Sequence, residues 1–444
     1  MPSTTHAIRA RDETPSGLAE ARRTTDSLFD IVRPDSLYER PIPERHRIIF
    51  YVGHLEAFDR NLLAGRLLSL PGSSPELDRL FAFGIDPVGG GLPTDQPADW
   101  PAIERVRQYV QQVRSELDEG LENRLQQSGD FSAELLLNVA IEHRLMHAET
   151  LAYMLHRLPH DKKIAPAGAP QVVTASPRPA HVEIPAGSAT LGLARAGHAF
   201  GWDNEFEQHS VDVPAFAIDR YKTTNAEYLE FIENGGYENR ALWSESDWAW
   251  KDSNRISRPA FWEKQRNRDG WFWKGMFADI PLPLDWPVYV SHAEASAYAR
   301  WAGKSLPTEA QWQRAAYGSP GAHSRMYPWG SKLPDTARGN FDFANWDPTS
   351  VVAHPAGISA FGVDDMLGNG WEWTATVFAP FAGFQAFPFY PGYSADFFDG
   401  KHYVIKGASS RTASRMLRPS FRNWFQPHYQ YVYAGFRCVS NRLA

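Results

Sequence analysis

The chain has 444 residues, 43% of them hydrophobic and 22% charged, which is enough to build two or three domains that bury cores without disulfide help. A net charge of -7 argues against a general polyanion binder, because nucleic-acid affinity rests on Lys and Arg contacts to phosphates. The single cysteine, Cys438, excludes an intramolecular disulfide, a cysteine zinc site and a dithiol pair, so any metal must be held by His, Asp or Glu.

The first thirty residues contain no apolar stretch of the signal-peptide kind, and no later segment approaches the ~18 apolar residues of a membrane span. The expectation is a cytoplasmic protein that meets neither membrane nor nucleic acid. Residues 14–160 carry helical periodicity, with helices predicted at 15–33, 43–70, 99–126 and 131–158. The second is expected to hold Pro43 in its first turn, where a missing N–H costs nothing. Four such helices suggest a bundle.

Residues 161–180, "DKKIAPAGAPQVVTASPRPA", read as a linker, since closely spaced prolines break helices. From 181 to 444 the pattern shortens to strand-like pieces such as "VEIPAGSATLG" and "VPAFAIDRYKTT" and two short helical stretches, "NAEYLEFIENGG" and "SHAEASAYARWAGK". With most of the 16 Trp and many Gly, Pro and Asn loops, this predicts a compact α+β domain.

The chemistry concentrates in residues 143–147, "HRLMH". His143 and His147 are i and i+4, so on a helix they leave the same face one turn apart, as chelation of one ion requires. On the second predicted helix His54 shares a face with Tyr51, Phe58 and Leu62, and therefore looks into the bundle, where four-helix proteins build metal sites. A lone core-facing histidine is usually satisfied by a hydrogen bond; three on two inward faces, two at chelating spacing, make a metal site and a set of satisfied core histidines equal alternatives. Such a set suits Fe(II), Zn(II), Cu(II) or Ni(II), and spacing does not separate them. His156 and His160, at the helix end, are expected in solvent.

The segments "EIPAGSATLG", "WPVYVSHAEASAYARWAGKSLPTEAQWQRAAYG", "YPWG", "DMLGNGWEWTAT" and "YVYAGFRCV", in that order, resemble the C-type-lectin-like fold of formylglycine-generating enzymes. Each piece alone has a structural explanation, "GNGWEW" being readable as a buried aromatic turn. Formylglycine generation depends in that family on a pair of cysteines, which this chain lacks. Such a domain after a DinB-like four-helix bundle carrying His plus H-x-x-x-H resembles the nonheme-iron sulfoxide synthases of ergothioneine biosynthesis and their selenoneine-making relatives.

That resemblance implies that His54, His143 and His147 hold Fe(II), that O2 and a thiol or selenosugar donor are used, and that the other substrate is hercynine, the betaine of histidine. It maps the active-site tyrosine to Tyr390 in "FPFYPGYSADFFDG", as an acid or redox partner, with Tyr393 beside the betaine. It maps hercynine contacts to Asn423 and Trp424 in "LRPSFRNWFQPHYQYVYAGFR". Relatives that use gamma-glutamylcysteine carry an Asp directly after the Asn-Trp pair, an Arg four residues further, and an Arg in the loop after the first bundle helices. Here these positions hold Phe425, Tyr429 and the arginine-free loop "FGIDPVGGGLPTDQP". Met146 replaces a glutamine found in some relatives, and "GASS" at 407–410 replaces a common "GGSW".

The combination implies a selenoneine synthase whose donor pocket, including Phe425 and Tyr429, takes an uncharged selenosugar. The alternative is a hercynine sulfoxide synthase using cysteine or gamma-glutamylcysteine. From other classes, a non-catalytic lectin-like binding module would bind no metal, and a zinc-dependent thiol transferase would work without O2.

Overall fold

The computed structural model describes residues 4–72, 74–84, 92–125, 131–166, 177–197, 199–265, 269–321 and 324–440. Parts of the loop at 83–97 and of the linker at 161–180 lie outside the described residues. The chain divides into two compact units, Met1–Ala167 and Gly168–Ala444.

The first unit is a helical bundle: α1 (Thr4–Asp30), α2 (Ile48–Asp59), α3 (Pro75–Phe83), α4 (Ile103–Leu125) and α5 (Phe131–His156). α1 packs along α5, while α2 packs against α3, α4 and α5. The second helix starts five residues later than Pro43, which lies in a turn instead. The reason is local: the first amides of α2 are satisfied by the chain running back past them, Ile48 N–H donating to Glu39 C=O and Ile49 N–H to Leu37 C=O. After Asp59 the helix widens into a π-helical stretch, Arg60–Leu68, which ends at Ser69 in a left-handed conformation. The short helix α3 was not expected; Pro75 opens it and Glu76 and Asp78 in its first turn favour the positive end of its dipole.

The second unit carries helices α6 (Asn225–Glu233), α7 (Glu245–Ser253), α8 (His292–Trp301) and α9 (Glu309–Tyr317). Thr224, Ser291 and Thr308 begin α6, α8 and α9 with S/T-x-x-E/Q capping boxes, each side chain accepting from the backbone N–H three residues on. Its strands are β1 (His181–Ile184), β2 (Gly187–Leu191), β3 (His209–Val213), β4 (Phe216–Asp219), β5 (Trp262–Glu263), β6 (Phe272–Lys274), β7 (Asp279–Pro281), β8 (Gly370–Val377), β9 (Tyr403–Ala408), β10 (Asn423–Phe425), β11 (Ala434–Gly435) and β12 (Val439–Ser440). The main sheet runs β10-β9-β8-β11, with β11 parallel to β8.

β8 bears the "WEW" of the aromatic motif, and all three residues are buried. Glu372 accepts from Lys222 Nζ at 2.7 Å and from Arg437 Nε at 2.6 Å, a wholly buried ion triad. Burial pushes this carboxyl up, but the two cations outweigh it and hold it below the usual carboxylate range. The motif therefore has a structural duty: it ties β8 to the segments before α6 and before β12. Among the described residues no helix is long and apolar enough to cross a membrane.

Candidate functional site

In the bundle, His54 projects from α2 and His143 and His147 from α5. One ring nitrogen from each can be chosen so that all three lie within 4.8 Å of one another. The ring centroids are 4.5 Å apart for His143 and His147, 4.9 Å for His54 and His147, and 5.5 Å for His54 and His143. His54 Nδ1 lies 2.7 Å from Phe81 C=O. A carbonyl only accepts, so Nδ1 carries the proton and Nε2 is left with its lone pair. Phe58 stacks on His143 and Phe50 on His54, fixing both rings. The face expected for His54, shared with Tyr51 and Phe58, is thus the one that meets α5.

Burial pushes the His54 imidazole down to about 4 against the opposing pull of the Phe81 carbonyl. Burial first, and then the neighbouring imidazoles, hold His143 and His147 well below the ordinary histidine range. All three are therefore neutral, which is the form that binds metal. His147 Nδ1 is buried with no hydrogen-bond partner, an arrangement that a bound cation or a rotated ring would satisfy. Three neutral nitrogens with no carboxylate among them fit a divalent transition metal such as Fe(II), and leave coordination positions open for other ligands.

Behind these histidines lies a buried charge network that sequence reasoning missed. Arg144, between the two histidines of α5, donates to Asp59 Oδ2 at 2.6 Å, Glu56 Oε1 at 3.0 Å and Leu55 C=O at 3.1 Å. Arg114 of α4 also reaches Glu56, at 2.7 Å, and grips both oxygens of Asp26 of α1 at 2.8 Å. Four helices are thereby tied together beside the histidines. His156 departs from expectation: it is fully buried, because the last turn of α5 still packs inside the bundle.

In the second unit the turn carrying Tyr390 and Tyr393 is closed by Tyr390 N–H donating to Phe387 C=O and Tyr393 N–H to Tyr390 C=O. The two tyrosine rings are 5.5 Å apart. Tyr393 stacks on Trp202 at 4.0 Å and meets Trp424 edge-on at 5.5 Å. Trp424 in turn lies flat on Phe378 at 4.1 Å. Tyr390, Tyr393 and Trp424 therefore form one aromatic group. Burial pushes the Tyr390 phenol above its ordinary value, and the Asp203 carboxylate adds to this.

Phe425 and Tyr429 form a second group, stacked nearly parallel at 5.2 Å, with Tyr431 against Tyr429. β10 pairs antiparallel with β9, Trp424 opposite Val404 and Phe425 opposite Tyr403. Consecutive strand residues point to opposite faces, so Trp424 and Phe425 are separated by the pleat and Asn423 shares the face of Phe425. Asn423 Oδ1 accepts from the Trp424 backbone N–H at 2.8 Å. Trp202, Asp203, Phe378 and Ser394 complete the surroundings; none was foreseen, since only Ser394 belongs to the tyrosine segment and no motif links it to residues 202–203 or 378.

The chain matches the Sulfatase-modifying factor enzyme 1-like domain over residues 167–442 and the DinB superfamily over residues 18–151. It is 34% identical to a hercynine oxygenase of Mycolicibacterium thermoresistibile, over 97% of this chain and 95% of that protein. A hercynine oxygenase of Mycobacterium tuberculosis is 37% identical over 75% of this chain and 77% of its own length. Ergothioneine biosynthesis protein 1 of Neurospora crassa is 29% identical over 91% of this chain and 55% of its own. The expected architecture, a DinB-like bundle followed by a lectin-like domain of the formylglycine-generating-enzyme kind, is the one found.

Proposed function

The chain belongs to the hercynine oxygenase family, and from that membership together with the aromatic residues Phe425 and Tyr429 in the donor segment we infer that it is an O2-dependent nonheme iron enzyme that forms a carbon–selenium bond on the imidazole of hercynine, a selenoneine synthase with a selenosugar donor. The observation that carries the metal-dependent reading is the convergence of His54, His143 and His147 within 4.8 Å. Bound there, Fe(II) would supply oxygen activation and an anchoring point for the donor's chalcogen.

The protein's own groups have separable tasks in this reading. Tyr390 keeps its hydroxyl proton through the neutral range, because burial and Asp203 oppose its loss, and is the acid or proton-and-electron donor. Trp424 and Tyr393 offer aromatic faces to the trimethylammonium of hercynine, each contact being worth about 0.5–2 kcal/mol. The Asn423 amide is suited to the carboxylate or imidazole of the same substrate.

Donor choice rests on Phe425 and Tyr429, a stacked aromatic pair where relatives using gamma-glutamylcysteine place Asp and Arg. An amino-acid head group would meet rings instead of charges there, and a buried unpaired charge is costly. A selenosugar has no such head group. The second reading is an ergothioneine-pathway sulfoxide synthase, favoured by the similarity to ergothioneine biosynthesis protein 1, with cysteine or gamma-glutamylcysteine as donor. An aerobic assay of iron-loaded enzyme with hercynine and each of the three donors separates the two by product mass. The selenosugar should exceed gamma-glutamylcysteine in kcat/KM by at least ~100-fold, equal to ~2.7 kcal/mol. Equal turnover would establish the sulfur reading instead.

A further inference from the structure

Residues 202–205, "WDNE", form a buried turn that the tasks above leave unexplained. Its framework is rigid. Trp202 N–H donates to Glu205 Oε1 at 2.8 Å, Arg418 Nε donates to Glu205 Oε2 at 2.8 Å, and Ser420 Oγ donates to the same oxygen at 2.6 Å. From this platform two side chains reach the tyrosine turn: Trp202 lies under the Tyr393 ring, and Asp203 Oδ1 accepts from Ser394 Oγ at 2.6 Å. Ser394 directly follows Tyr393, and both Asp203 and Ser394 are fully buried.

Other charges close to this platform are neutralised in pairs, Glu205 by Arg418 and Arg422, which donates to Asn204 C=O, by Glu309. Asp203 has no ion-pair partner among the described residues, and its Oδ2 is buried without a hydrogen bond. Burial pushes its carboxyl up, opposed by the Ser394 hydroxyl and by the Asn204 and Phe387 amides. Phe387 is the other end of the same turn. A carboxyl that engages both ends of a catalytic turn, and lies near enough to its phenol to act on it by charge, does more than fill a core position.

We propose that Asp203 is a positioning residue for Tyr390: through its bond to Ser394 it fixes the turn that presents the phenol. The proposal rests on the reading of Tyr390 as the proton donor. It assigns Asp203 no contact with substrate.

The test uses the full iron-loaded protein and a readout that does not depend on turnover. Subtracting the near-ultraviolet pH titration of Tyr390→Phe from that of the native protein gives the ionisation midpoint of Tyr390. Asp203→Asn keeps an oxygen to accept from Ser394 and removes only the charge. In that background the midpoint should fall by about one pH unit, a tenfold change, while kcat and KM for hercynine stay within about threefold, because the turn is still held and the phenol is still protonated at neutral pH. Ser394→Ala keeps the charge but frees the turn, and should lower kcat by about tenfold with KM for hercynine within about threefold and a smaller midpoint shift. An unchanged midpoint in folded Asp203→Asn overturns the proposal, as does an unchanged kcat in Ser394→Ala. Full activity of Tyr390→Phe would remove the catalytic reading and this proposal with it. A slow Tyr390→Phe beside an unaffected Ser394→Ala would remove the role of Asp203 alone.

Discussion

Replacing Arg144 by Met keeps most of the side chain's length and deletes the guanidinium that joins α5 to α2. Arg144 is fully buried and contacts Asp59 at 2.6 Å and Glu56 at 3.0 Å. In Arg144→Met, Glu56 retains Arg114 at 2.7 Å, whereas Asp59 loses its hydrogen-bonded cation. Breaking a buried pair from one side costs about 3–5 kcal/mol, against a total stability of about 5–15 kcal/mol, so the bundle should remain folded but be strongly weakened. Because Arg144 lies between two of the histidines and also bonds the carbonyl of Leu55, next to His54, metal affinity should fall by about 10–100-fold, as for other groups that orient ligands. Urea unfolding by far-ultraviolet circular dichroism, with metal titration alongside, measures both effects. Adding Asp59→Asn removes the stranded charge and should recover at least ~1 kcal/mol. The pH dependence has a fixed sign: burial already raises the Asp59 carboxyl above its unfolded value, so the deficit is smallest below the ordinary carboxylate range and grows as pH rises through the folded value. A loss below ~1 kcal/mol, or no recovery in the double variant, would refute the view that this network holds the metal helices in place.

His143→Ala should lose most bound iron and activity while the bundle stays folded; stoichiometric iron in that variant would contradict the ligand assignment. Tyr390→Phe deletes only a hydroxyl and should slow or divert product formation with iron and hercynine still bound, which product analysis and binding titrations would check. In the second unit, burial pushes the Asp365 carboxyl up to about 7 despite Lys222, so the contribution of this one group to stability is fully present below the unfolded carboxylate value and is lost as pH rises towards 7. Asp365→Asn should therefore gain about 2–4 kcal/mol relative to the native protein between pH 4 and 8, and parallel urea-midpoint profiles would disprove this.

The histidine centre was legible because helical periodicity acts over a few residues: i and i+4 fix His143 against His147, and the apolar face around His54 fixes its direction. What escaped were partners distant in the chain. Arg144 sits inside the "HRLMH" motif, yet its charge is answered by Glu56 and Asp59 on another helix, and nothing in the local pattern says that this face of α5 is buried. Asp203 and Ser394 are separated by 191 positions, so their pairing is a product of the fold alone. The start of α2 was misplaced for a related reason, since its free amides are met by residues 37 and 39 and not by a capping side chain.

The alternation of β10 bears on how a donor pocket can change within one fold. Trp424 points to the face where it stacks with Phe378 and meets Tyr393, while Phe425 points away and pairs with Tyr429. Substitutions at 425 and 429 therefore alter one aromatic group without removing a wall of the other. Asn423 lies on the Phe425 face but is tied to the Trp424 backbone, which places it at the boundary between the groups proposed for hercynine and for the donor. In the donor reading proposed above, exchange of a charged pair for a stacked aromatic pair, together with an arginine-free loop, would change the donor chemistry and leave standing the betaine contacts proposed for Trp424 and Tyr393, since positions 425 and 429 lie four residues apart on one short segment.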